Sequence, residues 1–297
     1  MHTMQSLKMP NKVTNPNYAY ITILTTESYL DGVGALMLSL KKTKTEIPFY
    51  ILCGPQISQH TIDRLNSFNY AYILRYQTSI PFPESIATAN NNRQNTNWNH
   101  TFDKLLIFEL TQFKKMVFID ADMMVTQNLD HLFALPHMSA TNAGFSFPGN
   151  ENDIDLNSGL MVIEPQPDIV ERMLAMIPSI IARKDAFGDQ DVLQAYYIDW
   201  TSRPELNFGE KYNVYANHLD YYINKLGYHF NSDVNDSKSI AIVHFIGASK
   251  PWHARWNTAS VIYQDLRLLF HRCIGRRDAE WAKLEYKHLI RTFRKKR

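Results

Sequence analysis

Between residues 18 and 76 the chain repeats one pattern. A short β-prone apolar run is followed by a polar turn, an amphipathic stretch and another apolar run. Tyr18–Leu24 is the first run, and Val33, Leu36, Met37 and Leu40 follow it at helical spacing. Phe49–Cys53, closed by Gly54-Pro55, is the second. Residues 58–68 read as a short helix with Ile62 and Leu65 inward, and residues 71–76 as a third strand. Strands that alternate with helices are joined by crossovers and lie side by side in parallel. The pattern therefore predicts an α/β fold with a mainly parallel central sheet.

A further strand follows at Val117-Phe118-Ile119, apolar throughout and so buried on both faces. Two carboxylates come next, Asp120 and Asp122, with Ala121 between them. On extended chain, positions i and i+2 point to the same side. Both carboxylates are then expected to face one spot beyond the strand's carboxyl end, where open α/β sheets bind ligands. Like charges this close repel unless a cation lies between them. Oxygen ligands suit Mg²⁺ or Mn²⁺, with substrate phosphates completing the shell. A solvated strand end accounts for the pair equally well, so the rest of the chain decides.

Several stretches bear on that choice. Thr25-Thr26-Glu27-Ser28-Tyr29 joins the first strand to the first helix, which is either a helix cap or a nucleotide site. Gly32-x-Gly34 is no dinucleotide fingerprint, because Met37 stands where the third glycine is needed. Residues 81–99 are rich in Asn, Pro and Thr and read as a long loop, a lid or a disordered segment. Residues 101–112 read as a helix with Phe102, Leu105, Leu106 and Phe113 coreward and with Lys104 able to reach a phosphate. Residues 143–147 read as a strand, and a polar turn at Asp155 feeds a buried strand through Ile163. Ser158 there lacks the flanking glycines of a nucleophile elbow, so a hydrolase triad is not supported. Residues 169–183 read as one helix. Another starts at Gly188-Asp189-Gln190-Asp191, with more polar groups than an N-cap requires. Residues 239–246 are the last strand. His244, Gly247 and Lys250 at its end could ligate a metal, admit a phosphate and neutralise it.

At 45% hydrophobic and 20% charged, the 297-residue chain has an ordinary globular composition. Only Cys53 and Cys273 are present, which excludes a disulfide framework or a cysteine-based zinc site. Residues 1–17 are polar and read as a flexible tail without a secretory signal. No apolar run is long enough to span a bilayer, and a reducing, cytosolic setting fits. Residues 257–297 stand apart, with 11 Lys/Arg against 4 Asp/Glu, while the remainder holds 20 against 25. The segment also carries Leu266, Leu269, Ile274, Trp281, Leu284, Ile290 and Phe293. Such a helix either lies on an anionic membrane or packs its apolar stripe on the body of the protein. The basic tail comes with no nucleic-acid recognition motif.

Five motifs occur in register: Leu24-Thr25-Thr26; Phe118-Ile119-Asp120-Ala121-Asp122; Asn157-Ser158-Gly159; Gly188-Asp189-Gln190; and His244-Phe245-x-Gly247-x-x-Lys250-Pro251-Trp252. Together they resemble the family 8 glycosyltransferases of the GT-A fold, the group of glycogenins, galactinol synthases and bacterial lipooligosaccharide α-glycosyltransferases. The resemblance implies a single Rossmann-like catalytic domain over residues 18–256 and a retaining transfer of a hexose. UDP-glucose or UDP-galactose is the favoured donor, and Mn²⁺ the metal, with Mg²⁺ as the alternative. It implies Asp120, Asp122 and His244 as metal ligands, with Ala121 in the same donor-binding turn. Leu24, Thr25, Thr26 and Tyr29 would contact uridine. Gly247 and Lys250 would clamp the diphosphate, and Lys104 would bind the donor. Asn157 and Ser158 would hold the donor sugar, while Asp189 and Gln190 line its reacting face as the catalytic pair. Arg93 matches a family arginine within a poorly aligned loop.

The chain departs from the glycogenin pattern at Asp185-Ala186-Phe187-Gly188, where an extra carboxylate is displaced or missing. Tyr212-Asn213 resembles the segment that carries a self-glucosylated tyrosine, so a self-glucosylating primer protein is one alternative. A catalytically inactive sugar-nucleotide binder is another. The Lys250-Pro251-Trp252-His253 end and the basic tail are more similar to bacterial enzymes with lipid-linked acceptors. They lead us to expect a cytoplasmic protein with peripheral membrane contact through residues 261–297.

Overall fold

The computed structural model describes residues 17–296, apart from residues 94, 95, 143, 145 and 185. The expected flexible tail therefore falls outside the described residues, except for Asn17. The predicted alternation is present: β1 (Tyr18–Leu24), α1 (Leu30–Lys42), β2 (Phe49–Cys53), α2 (Gln59–Asn66) and β3 (Ala71–Arg75). Next come α3 (Glu84–Asn92), β4 (Lys115–Ile119), β5 (Met123–Val125), β6 (Ala140–Asn142) and β7 (Leu156–Ile163). Then follow α4 (Ile169–Leu174), α5 (Ile177–Ile181), α6 (Asp189–Tyr196), β8 (Val214–Tyr215), α7 (Leu219–Asn224) and β9 (Ile242–His244). Two longer helices, α8 (Thr258–Cys273) and α9 (Ala279–Lys295), complete the described chain.

The central sheet has the order β3-β2-β1-β4-β7-β6. Its first four strands are parallel, and β7 and β6 add antiparallel partners on the β4 side. The chain runs outward from β1 to β2 and β3, then returns to the other side of β1 with β4. That reversal opens a crevice beyond the carboxyl ends of β1 and β4, the place where such sheets take ligands. Thr25 follows β1 and Asp120 follows β4, so both motifs open onto it. One face of the sheet packs on Phe102, Leu105, Leu106 and Phe187, the other on α1 and α2 through Leu36, Met37, Leu40 and Leu65.

Several local expectations are corrected. Residues 81–99 hold α3 and a 3₁₀ turn, where a loop was expected. Helix propensity is poor there, but Ile86 and Asn90, one helical turn apart, are both buried. Asn90 Nδ2 also donates to the Phe187 carbonyl at 3.1 Å, so tertiary contact overrides propensity. Residues 102–109 form a 3₁₀ helix, although its coreward residues are those expected. The helix expected over residues 169–183 is two short ones, α4 and α5, with Pro178 in the first turn of α5. The strand expected at residues 143–147 lies instead at β6, set by pairing with β7; residues 143 and 145 lie outside the described residues. Of residues 239–246, only β9 is paired in a sheet.

A second, three-stranded sheet has the order β5-β9-β8. Here β9 lies antiparallel to β5 with His244 opposite Met123. The C-terminal segment is helical, as its pattern predicts. Its apolar residues divide between two fates. In α9, Ala282, Tyr286, Leu289, Ile290 and Phe293 are buried in the same core as the sheets. Phe293 lies over Gly34 so closely that a Cβ at Gly34 would stand 2.2 Å from its ring, which accounts for that glycine. In α8 the polar side faces inward. Arg291 Nη1 of α9 donates to Gln264 Oε1 at 2.8 Å, and Arg267 of α8 pairs with Glu280 at 2.6 Å. Ile262, Tyr263, Leu266, Leu269, Phe270 and Ile274 point outward, each more than half exposed. No helix among the described residues is long and apolar enough to cross a membrane.

Candidate functional site

The crevice at the sheet reversal is a cavity of about 860 Å³. Thr25, Thr26, Tyr29 and Ala121 line it, together with Lys104, Asp120, Asp122, Asn157, Ser158, Asp189, Gln190, His244, Gly247 and Lys250. Thus all the residues expected at the donor site but one converge from six separate stretches of chain. The exception is Leu24. It is fully buried in the core, and its carbonyl accepts from Gly54 N at 2.9 Å, so it does not line the cavity. Its side chain belongs to the sheet and packs with Val33 and Ile51.

The two carboxylates converge by a different route from the one the extended-chain argument supposes. The chain turns at Ala121, and Met123 N donates to Asp120 O at 3.1 Å. Asp120 N donates to Gly159 O at 2.8 Å, which ties the turn to β7. Gly159 eases the approach there: a Cβ would stand 2.6 Å from the Met123 side-chain methyl and 3.0 Å from the His244 ring, so these would have to shift. The β5–β9 pairing then carries His244 to Asp122, with its Nε2 3.1 Å from Asp122 Oδ1. On the other side of the ring, Nδ1 lies 2.7 Å from Asn213 Oδ1. An amide oxygen can only accept, so Nδ1 carries a proton, and Nε2 is the ring nitrogen that faces Asp122 and the cavity.

Ligand atoms of Asp120, Asp122 and His244 lie within 4.8 Å of one another. Two hard carboxylates and an imidazole, with an open side toward the cavity, fit a divalent cation such as Mn²⁺ or Mg²⁺. Two lysines balance these carboxylates within the chain. Lys250 Nζ pairs with Asp122 Oδ2 at 2.5 Å and donates to Phe245 O at 3.0 Å. Lys104 Nζ lies 3.0 Å from Asp120 Oδ1 and 2.9 Å from Asp189 Oδ2. Burial pushes the Asp120 carboxyl up to about 6; Asp122 adds to the rise, and Lys104 limits it. Burial acts on Asp122 in the same sense, but His244 and Lys250 outweigh it and hold that carboxylate below the usual range.

A second group adjoins the first through Lys104. Ser158 Oγ donates to Asp189 Oδ2 at 2.8 Å, and Asn157 Nδ2 donates to Gln190 Oε1 at 3.0 Å. Gly188, and not Asp189, is the N-cap of α6. The Asp189 carboxylate is therefore free of capping duty and faces Lys104 and Ser158. Its backbone N donates to Thr101 Oγ1 at 3.0 Å.

The family model for glycosyl transferase family 8 matches residues 20–256. The chain belongs to glycosyltransferase family 8. It is 29% identical over 243 residues to a glycogenin of Neurospora crassa, covering 81% of this chain and 32% of that one. It is 30% identical over 237 residues to UDP-glucuronate:xylan alpha-glucuronosyltransferase 2 of Arabidopsis thaliana, covering 79% of this chain and 35% of that one. The chain thus spans about a third of the length of these two curated relatives. Among solved structures, the galactosyltransferase LgtC with donor and acceptor sugar analogs superposes with a TM-score of 0.59. Identity there is 14%, with 92% of this chain and 95% of that one covered, so the likeness is one of fold. The fold of this family 8 chain is accordingly the GT-A glycosyltransferase fold.

Other residues of the cavity escaped the sequence. Trp98 comes from the stretch read as a long loop and His100 from just beyond it, and Asp153, Asp155, Lys184 and Asp191 form another part of the wall. Trp98 stood out only as an aromatic residue among asparagines. Asn213 was noted only beside Tyr212, because its place here is decided by its distance from His244. Arg93 caps the end of α3 and does not line the cavity, and Asp185 lies outside the described residues. Tyr212 is 5% exposed, with its hydroxyl 2.6 Å from His131 Nε2, and is not part of the cavity wall.

Proposed function

We propose that this family 8 protein is a retaining hexosyltransferase that moves a sugar from a UDP-sugar to a sugar or glycolipid acceptor with a divalent cation, Mn²⁺ first. The observation that carries the reading is the joining of Asp120, Asp122 and His244 to Asp189 through one buried lysine, Lys104. A cation held by the first three residues supplies positive charge for the departing diphosphate. Lys250, buried and paired with Asp122 in the same group, adds a positive charge for that diphosphate. Thr25, Thr26 and Tyr29 at the end of β1 are the proposed uridine contacts, Tyr29 as a stacking surface. Asn157 and Ser158 orient the donor sugar. Asp189 and Gln190 offer carboxylate and amide oxygens to the positive charge that builds on the sugar carbon. With Asp189 engaged by Lys104 and Ser158, its carboxylate suits charge stabilisation better than nucleophilic attack. Same-face attack, with the leaving phosphate taking the acceptor's proton, follows from that assignment.

UDP-glucose and UDP-galactose are the first donors to test. Release of UDP, with and without Mn²⁺ and candidate sugar acceptors, is expected from the wild type and absent from Asp122→Asn. Wild-type turnover in Asp122→Asn, or in excess chelator, would overturn the metal-dependent reading. Tyr212 is not proposed as a self-glucosylation site, since its hydroxyl is turned to His131. An inactive binder is disfavoured by the full set of carboxylates, imidazole and lysines at the cavity.

The reading includes a cytoplasmic protein in peripheral contact with an anionic membrane. Within residues 261–297, α9 is committed to the core, so the contact is assigned to the outward apolar face of α8. Only seven residues separate Lys250 from the first residue of α8, and a membrane-bound α8 would keep the cavity near a lipid-linked acceptor.

A further inference from the structure

A second cavity, of about 620 Å³, lies between the end of α1, strand β5 and the turn joining α8 to α9. That volume is in the range, roughly 300–1,000 Å³, of small-molecule sites. Buried Met124, Val125 and Leu289 line it on the side of the core. Lys42, Arg272, Arg276 and Arg277 line it as well, against one carboxylate, Glu285.

Pairing within the chain leaves positive charge over. Lys42 and Arg272 share Glu285, the latter at 2.8 Å. Arg276 pairs with Asp278 at 2.5 Å. Arg277 has no carboxylate partner among the described residues and lies over the Trp281 ring at 5.5 Å. The dipoles of α1 and α8 account for cations in their last turns, which covers Lys42 and Arg272. Arg276 and Arg277 stand beyond the end of α8, where that reason fails. His271 is an independent sign. It is 1% exposed and lines the cavity, and its Nε2 lies 3.3 Å from Glu280. Among the described residues its Nδ1 has no hydrogen-bond partner, the Asp278 carboxylate being 3.7 Å away. A buried polar atom without a partner beside surplus cations is what a missing ligand leaves.

We infer that this cavity binds a phosphorylated ligand, with its phosphoryl oxygens on the Arg276 and Arg277 guanidinium groups and its remainder against Trp281. Guanidinium forks match phosphate oxygens two at a time, and the indole supplies a flat apolar wall. A soluble phosphate ester and a phospholipid headgroup share that chemistry.

The test is hydrogen–deuterium exchange of the full chain, in chelator, with millimolar pyrophosphate in one arm and phosphatidylglycerol vesicles in the other. Protection of residues 271–285 is expected in at least one arm. Protection by pyrophosphate assigns a soluble ligand, and protection by vesicles alone assigns a headgroup. Arg276→Ser with Arg277→Ser removes two exposed side chains and is expected to weaken binding at least about tenfold. Lys250→Met, in the other cavity, is expected to leave the protection intact. No protection in either arm, or protection unchanged in the double variant, overturns the proposal.

Discussion

Asn213 illustrates how a residue outside the donor set can govern it. Its side-chain oxygen can only accept from His244 Nδ1, so Nε2 is the ring nitrogen turned to Asp122 and to any cation the two would share. Partners that orient a ligating imidazole in this way contribute about 10–100-fold to metal affinity. Asn213→Ala is expected to weaken Mn²⁺ binding by that order while circular dichroism stays native. A paramagnetic resonance titration of free Mn²⁺ measures it, and unchanged affinity would reject the role. Asp189 belongs to the other group, beside Lys104 and Ser158. Asp189→Asn should lower kcat by far more than it weakens UDP binding by calorimetry, because its contribution arises as charge builds on the sugar. A parallel collapse of UDP affinity would make it a binding or structural residue instead.

At the scale of elements, α9 is the piece most deeply committed to the core. Phe293 is fully buried, stacks on Phe68 at 5.1 Å and lies against Gly34. Phe293→Ala is expected to destabilise the protein by about 3–5 kcal/mol. Denaturant unfolding would show this as a lower midpoint at unchanged slope. Glu285 is a second tie, between α9, Lys42 of α1 and Arg272 of α8. Burial raises its carboxyl, but Lys42 and Arg272 outweigh burial and bring the net shift below the usual value of 4.5. A lowered folded-state value adds stability above the unfolded value, and that stability is lost as pH falls through the folded one. Glu285→Gln should therefore melt about 2–4 °C lower than the wild type at pH 7. The difference should shrink below about pH 4.5. An equal gap at both pH values would mean the pairs contribute nothing electrostatic.

On the whole molecule, α8 is an inverted amphipathic helix. Gln264, Leu268 and His271 face the body, while five large apolar side chains, and Ile274 at the helix end, face out. If that face meets a membrane, the full chain will co-sediment with anionic vesicles at low salt and partly release at high salt. Leu266→Asp with Phe270→Asp should abolish the binding while leaving UDP release from a soluble acceptor unchanged. No co-sedimentation at low salt would reject the membrane contact.

The alternation of strands and helices was enough to predict the parallel half of the sheet, because burial on both faces leaves apolar runs that can be read locally. Thr25, Thr26, Asp120, Asp122, His244 and Lys250 could be named as candidates from their residue types and motifs, and the structure brings them to one cavity. The turn at Ala121, the helix at residues 84–92 and the division of labour between α8 and α9 were not legible. Each depends on a partner remote in sequence: Gly159 for the turn, Phe187 for α3 and Gly34 for α9. Composition marked residues 257–297 as basic and apolar alike. Only packing could decide which apolar face is buried, because the choice rests on whether a complementary surface stands opposite it.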